Sequence, residues 1–171
     1  KGDTMLKKVI SIMTLFIGLA GTDSARADSA LVSFKQLSLD TALELAHTTL
    51  KDCRKNGYQV AVAVVDRMGN LQVNLRDQFA GAHTTETAFR KAWTAVNFRI
   101  STMEMSKLTK TGEAQWGIRF VDKALMAGGG LIVEAAGSIV AGIGVSGAPG
   151  GELDESCAKV GIESIIDQLE F

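Results

Sequence analysis

Apolar residues recur at every third or fourth position in the first part of the chain, which is the spacing of one helical face. The stripe lies between Ser38 and Asn56 and consists of Leu39, Ala42, Leu43, Ala46, Leu50 and Cys53. Ser38 can cap the N-terminus of such a helix, and Gly57 is suited to end it. The pattern therefore predicts an amphipathic helix as the first element.

Two later segments have the pattern of β-hairpins. Residues 59–65 form an almost uninterrupted apolar run, turn residues occupy 66–70, and apolar and polar residues alternate over 71–75. The second hairpin is predicted from apolar strands at 131–133 and 139–145, separated by a glycine-containing turn. Short apolar or alternating runs joined by turn residues are typical of antiparallel strands.

Three further helices are predicted in the middle and at the end of the chain. Thr84 or Thr85 is predicted to be the N-cap of the longest of these helices. A short helix is predicted over 103–108, and Asp154 is predicted to cap the final helix. Residues 116–126 show no clear pattern. The order of helix, hairpin, helix, hairpin and helix predicts an α/β fold of the α+β kind, in which helices pack on a mainly antiparallel sheet.

The long helix has two different faces. The apolar face consists of Ala88, Phe89, Ala92, Trp93 and Val96, and the second face of Thr87, Arg90, Lys91, Thr94 and Phe98. The cations and hydroxyls of the second face could bind carboxylates of a ligand. The alternative is that this face is simply the solvated side of the helix.

A glycine-rich segment follows in the last predicted strand. Gly142, Gly144 and Gly147 match the G-x-G-x-x-G pattern of dinucleotide-binding proteins by spacing. That motif requires a helix directly after it and a further parallel strand, and this chain has neither. Glycine weakens a strand, so Gly142 and Gly144 instead indicate close approach by backbone, by a bulky side chain or by a flat ligand.

The N-terminal residues have the pattern of a secretory signal. Lys7 and Lys8 precede an apolar run of about 11 residues, and Ala25-Arg26-Ala27 resembles a cleavage site. The run is short of the roughly 20 residues needed to span a bilayer, which makes an uncleaved anchor the lesser alternative. We therefore predict a signal peptide over 1–27, of which 1–4 are extra residues before the first methionine, and one domain over 28–171. The expected location is periplasmic or secreted.

Charge and cysteine content limit the possible partners. The chain has 18 basic and 19 acidic residues, and loss of the predicted signal would remove four of the former and two of the latter. This acidic balance argues against nucleic acid as a partner. Cys53 and Cys157 are the only cysteines. They could form a disulfide in an oxidising compartment, or remain two buried thiols, which is the alternative that the sequence slightly favours.

His83 is a candidate metal ligand. It lies in a glycine-flanked loop ahead of a predicted helix, where a neutral ring nitrogen could ligate haem iron or a divalent metal. The alternative is a surface histidine with no ligand. His47 borders the first apolar stripe and is predicted to be partly buried. No Walker loop, G-x-S-x-G or H-E-x-x-H motif is present, so no catalytic residue is assigned.

Three ordered blocks carry a family resemblance. VAVVDRMGNLQVNLR, FRKAWTAVNF and GSIVAGIGVSGAPGGELDE together resemble the GlcG/HbpS family of haem-binding or haem-degrading domains, over about residues 39–166. The resemblance implies a profilin-like three-layer α/β/α domain with a five-stranded, mainly antiparallel sheet that assembles into homo-oligomers. It also implies haem as the cofactor and a role beside a membrane sensor protein.

The resemblance also implies a position for the ligand. Thr102 matches a threonine that contacts haem iron, and Arg90 and Lys91 match the RKA block of the family. We therefore expect an exported haem-binding protein, which could be an accessory to haem or redox sensing, in which haem lies against the second face of the long helix, including Thr94 and Phe98. Thr102 or His83 would lie near the iron. The flat macrocycle could lie over the last strand at Gly142 and Gly144, which have no side chains. An enzyme acting on haem or another small metabolite, and an oligomeric interaction module for a membrane partner, are the alternative functions.

Overall fold

The computed structural model describes residues 30–169. The predicted signal peptide lies outside the described residues. Residues 34–169 belong to one unit, which contains all the helices and strands of the described residues. Its helices are α1 (Leu39–Lys55), α2 (Thr84–Phe98), α3 (Thr102–Leu108) and α4 (Gly151–Ile165), and its strands are β1 (Ala61–Asp66), β2 (Leu71–Arg76), β3 (Gly130–Ala135) and β4 (Ser138–Ser146). Short 3-10 helices occupy Trp116–Phe120 and Ile166–Gln168.

The four strands form one antiparallel sheet in the order β2-β1-β4-β3. Both predicted hairpins are confirmed, and they pair through β1 and β4 at the centre of the sheet. The expected five-stranded sheet is wrong for the described residues, which contribute four strands. The segment over 116–126, which has no clear sequence pattern, forms a 3-10 helix and turns instead of a strand.

Helices cover both faces of the sheet, which gives the expected three layers. On one face α1 and α4 pack side by side and enclose the main core with valines of β1 and β4. Cys53 of α1 and Cys157 of α4 form a disulfide with a Cα–Cα distance of 5.5 Å. The expectation of two buried thiols is therefore wrong, because the first and last helices lie in contact although 104 residues separate the cysteines.

Helix α2 covers the other face and rests on the glycines of β4. A Cβ added at Gly144 would overlap the carbonyl oxygen of Ala88 and lie 2.6 Å from the backbone nitrogen of Ala92. A Cβ added at Gly142 would likewise lie 2.9 Å from the Ala92 carbonyl oxygen. The predicted close approach is thus made by the helix backbone. The expectation that a flat macrocycle lies over these glycines is wrong, because α2 occupies that space.

The helix starts differ from the sequence predictions by a few residues. The N-cap of α2 is His83, and not Thr84 or Thr85 as the sequence predicts. The His83 side chain makes no capping hydrogen bond. Helix α3 starts at Thr102 after the capping Ser101. Helix α4 begins at Gly151 after an extended Gly150. Asp154 is therefore not its cap, because that carboxylate is used in a buried ion pair with Lys91.

Candidate functional site

The second face of α2 is covered by the chain itself. The Arg90 guanidinium donates from Nε to the carbonyl oxygen of Lys123 at 3.1 Å and from Nη2 to that of Ala124 at 2.9 Å. The Thr94 hydroxyl donates to the Arg90 carbonyl at 2.7 Å and accepts a hydrogen bond from the Leu125 amide at 2.9 Å. Arg90 and Thr94 therefore hold the segment after the first 3-10 helix against α2.

Phe98 belongs to a small apolar cluster beside that segment. Its ring meets Trp93 edge-on, with centroids 6.4 Å apart. The two rings pack against the buried side chains of Met105, Ala124 and Met126. Phe98 is thus part of the packing between α2, α3 and the 3-10 segment.

Lys91 lies in a buried ion pair. Its ammonium donates to Asp154 Oδ2 and to the Val145 carbonyl oxygen, each at 2.8 Å, and both charged side chains are 4% exposed. The other oxygen of Asp154 accepts a hydrogen bond from the Ala148 amide at 3.0 Å. Burial raises the pKa of Asp154, and the charge of Lys91 partly opposes this effect. The pair joins α2, the end of β4 and the start of α4.

Thr102 is fully buried at the first position of α3. Its hydroxyl oxygen accepts a hydrogen bond from the Gly130 amide at 2.8 Å. A Cβ added at Gly130 would meet the Thr102 methyl group at 2.6 Å, so the two residues are in close contact. Thr102 consequently presents no oxygen to a ligand in this conformation, and a ligand role would require α3 to separate from β3. That role stays a prediction.

His83 lies apart from the other predicted residues, in an open cleft of about 460 Å³ at the N-terminal end of α2. The imidazole is exposed, and the cleft is also lined by Tyr58, Phe79 and Pro149. Phe79 is 78% exposed, so its ring presents apolar surface to solvent beside the imidazole. These residues combine an exposed metal-binding group with aromatic walls.

Gly81 lies directly against the His83 ring. A Cβ added at Gly81 would lie 2.7 Å from His83 Cε1 and 2.9 Å from Nδ1, so a larger residue would displace the imidazole. The carbonyl oxygen of Gly81 accepts hydrogen bonds from both the amide and the hydroxyl of Thr84, at 3.0 and 2.7 Å. The loop is anchored further back by Asp77, whose amide donates to the Val60 carbonyl at 2.9 Å and whose carboxylate pairs with Arg54.

The predicted site residues are therefore distributed over three places. Arg90, Thr94 and Phe98 hold the 3-10 segment, Lys91 and Thr102 are buried against other parts of the chain, and His83 lies in its own cleft. Sequence patterns do not identify Tyr58 and Phe79 as neighbours of His83, because they come from different loops. His47, predicted to be partly buried, is exposed on α1. Among residues 30–169 no three His, Cys, Asp or Glu side chains form a group that could hold a metal ion.

Comparison with known proteins identifies the family. The family model described as "Haem degrading protein HbpS-like" matches residues 37–163. HbpS of Streptomyces reticuli, solved as a double mutant, is 37% identical, with a TM-score of 0.76 over 85% of this chain and 98% of that one. A solved PduOC:heme complex is 30% identical, with a TM-score of 0.72 over 76% of this chain and 95% of that one.

A longer relative shares the same domain. The corrinoid adenosyltransferase PduO of Salmonella typhimurium is 30% identical over 131 residues, which are 75% of this chain and 39% of the relative. This chain thus spans about two fifths of the length of the curated PduO relatives that it matches. Within residues 30–169 no helix has the length and apolar content needed to cross a membrane. The match over most of the domain shows that the chain belongs to the HbpS-like family.

Proposed function

We propose that this protein is an exported haem-binding protein and that haem binds in the His83 cleft. Membership of the HbpS-like family and similarity to a domain solved with heme support the ligand. The exposed imidazole of His83 beside aromatic surface is the single observation that supports the place.

The residues of the cleft fit a haem group. Histidine commonly ligates haem iron, and His83 is the residue of this cleft that would hold it. The exposed ring of Phe79 and the half-buried Tyr58 offer apolar surface to a macrocycle. When bound, haem iron would supply ligand binding and redox chemistry, and the protein would hold the group through His83.

Export and assembly are part of the proposal. The disulfide between Cys53 and Cys157 supports an oxidising compartment, periplasmic or secreted. Trp116, Phe120 and Val121 are 41%, 71% and 44% exposed, and apolar exposure of this size on one segment is typical of protein contact surfaces. It supports a homo-oligomer or a contact with a membrane sensor protein, through which haem binding would be signalled.

A second candidate function is haem breakdown, which the description of the matching family favours. It predicts that the Soret band of the complex disappears when a reductant and oxygen are added, with release of an open-chain product. A complex that survives many such cycles would favour binding without turnover.

Haemin titration followed at the Soret band tests the proposed site. Wild type should show a saturable red shift, and His83→Ala should abolish it or weaken binding by at least about tenfold. His47→Ala is the matched control, because His47 is an exposed histidine on the opposite helix layer and should bind as wild type does. Loss of binding in Thr102→Ala with full binding in His83→Ala would instead assign the iron to α3.

A further inference from the structure

A second cleft lies at the other end of α2. It has a volume of about 550 Å³ and receives residues from the β1–β2 turn, the end of α2 and the β3–β4 hairpin. The 15 residues of α2 separate it from the His83 cleft by roughly 20 Å. Its principal lining residues are Arg67, Val96, Arg99, Ile132, Glu134 and Ile139.

Two guanidinium groups border this cleft. Among residues 34–169, no ion pair joins Arg67 or Arg99 to a carboxylate. Arg67 is held over the ring of Phe34, with its guanidinium carbon 5.0 Å from the centroid. Stacking on an aromatic ring orients a guanidinium and leaves its donors at the edge available. The cleft thus contains a preoriented cation whose hydrogen-bonding edge is not used by a carboxylate of the described residues.

Arg99 occupies a position that favours glycine. It is the C-cap of α2, with φ 57° and ψ 39°, in the left-handed region that usually ends a helix at Gly or Asn. A side chain in this conformation has an energetic cost, and such costs are concentrated at sites where the side chain has a function. The amide of Arg99 donates to the Ala95 carbonyl oxygen, so the backbone is capped without help from the guanidinium.

The remaining walls of the cleft restrict what can bind. Val96 is 4% exposed and forms an apolar floor together with the half-buried Ile132 and Ile139. Glu134 also lines the cleft and supplies one carboxylate, which repels a second negative charge but accepts a hydrogen bond from a hydroxyl or ammonium group. Arginine binds carboxylates in a two-point manner.

We propose that this cleft is a separate binding site for a small monocarboxylate that carries a hydroxyl or ammonium donor and an apolar body. The carboxylate would pair with Arg67 and Arg99, the donor with Glu134, and the apolar body with the floor. This site is separate from the proposed haem site, and the proposal does not depend on haem binding.

Titration of the full chain with 2-hydroxy-4-methylpentanoate, followed by amide NMR, tests the proposal. The probe should cause saturable shifts centred on this cleft, and 4-methylpentanoate, which lacks the hydroxyl, should bind several-fold more weakly. Arg67→Gln and Arg99→Gly should each weaken binding by about tenfold or more, since each removes a charge-assisted contact. Arg99→Gly also suits the left-handed backbone, so the fold should be retained.

Three controls make the outcome decisive. Lys51→Gln, an exposed cation on α1, should bind the probe as wild type does. Glu134→Gln should remove the preference for the hydroxy acid. The same arginine variants should retain the haemin-induced Soret shift, which separates failure of this proposal from failure of the haem site. Equal shifts with inorganic phosphate, no saturable shifts at the cleft, or loss of haemin binding in Arg99→Gly would overturn it.

Discussion

The buried ion pair between Lys91 and Asp154 allows a quantitative test of how the domain is held together. At a separation of 2.8 Å and an effective dielectric constant of about 20, the attraction between the charges is about 6 kcal/mol. Desolvation of two side chains that are 4% exposed offsets much of this attraction. Removal of one partner is different, because it leaves the other charge buried and unpaired. We therefore expect Lys91→Met to lower the free energy of unfolding by about 3 to 5 kcal/mol.

Equilibrium denaturation of a double-mutant cycle measures this effect. Asp154→Asn keeps an oxygen that can accept the Ala148 hydrogen bond but removes the charge. The double variant should lose clearly less stability than the sum of the single variants. Lys159→Met is the matched control, because its pair with Glu155 is largely exposed at the lysine and should contribute less than about 0.5 kcal/mol. Single-variant losses below about 1 kcal/mol, or additive losses in the cycle, would refute the argument that the pair is buried and coupled.

Three further predictions concern stability. Cys53→Ser, which leaves Cys157 unpaired, should destabilise the domain by about 4 kcal/mol, seen as a lower denaturation midpoint; an unchanged midpoint would show that the disulfide does not form in solution. Gly144→Ala should cost about 3 kcal/mol or more through overlap with α2, whereas Gly117→Ala, which meets open space, should stay within about 0.5 kcal/mol; equal thermal midpoints would contradict the close approach. Burial acts to raise the pKa of Asp66, but its hydrogen bonds with Asn70, Met68 and Gly69 outweigh burial and lower the pKa from 3.8. The ionised Asp66 therefore stabilises the fold above pH 3.8, and this contribution is lost as the pH falls further. Asp66→Asn should make the free energy of unfolding depend less on pH in this acid range, and an unchanged dependence in denaturation measured against pH would count against the argument.

Local patterns are sufficient to predict most of the framework. Helix α1 and both hairpins follow from short-range periodicity and turn residues, which act within a few positions of the chain. The close approach at Gly144 is also predictable, since a glycine in a central strand indicates a neighbour. Which group makes this approach depends on tertiary packing. The sequence is compatible with either a helix or a flat ligand, and the structure shows that α2 makes the approach.

The candidate site is less predictable because its residues meet through distant parts of the chain. Lys91 has the sequence context of a solvated helix face, and only the approach of Asp154, 63 positions later, makes it a buried partner. The same holds for Arg90 and Thr94, whose partners lie in a segment without a recognisable pattern. His83 is identifiable from its glycine-flanked loop, but its aromatic neighbours are not.

Identification of the residue that ligates the iron of bound haem tests the central claim most directly. The ferric complex of wild type should show the electron paramagnetic resonance and resonance Raman signatures of histidine ligation. His83→Gly should lose these signatures, and free imidazole should restore them by entering the space that the side chain leaves. The same histidine signature in His83→Gly without imidazole, or in wild type a spectrum that indicates only an oxygen ligand, would contradict binding at His83.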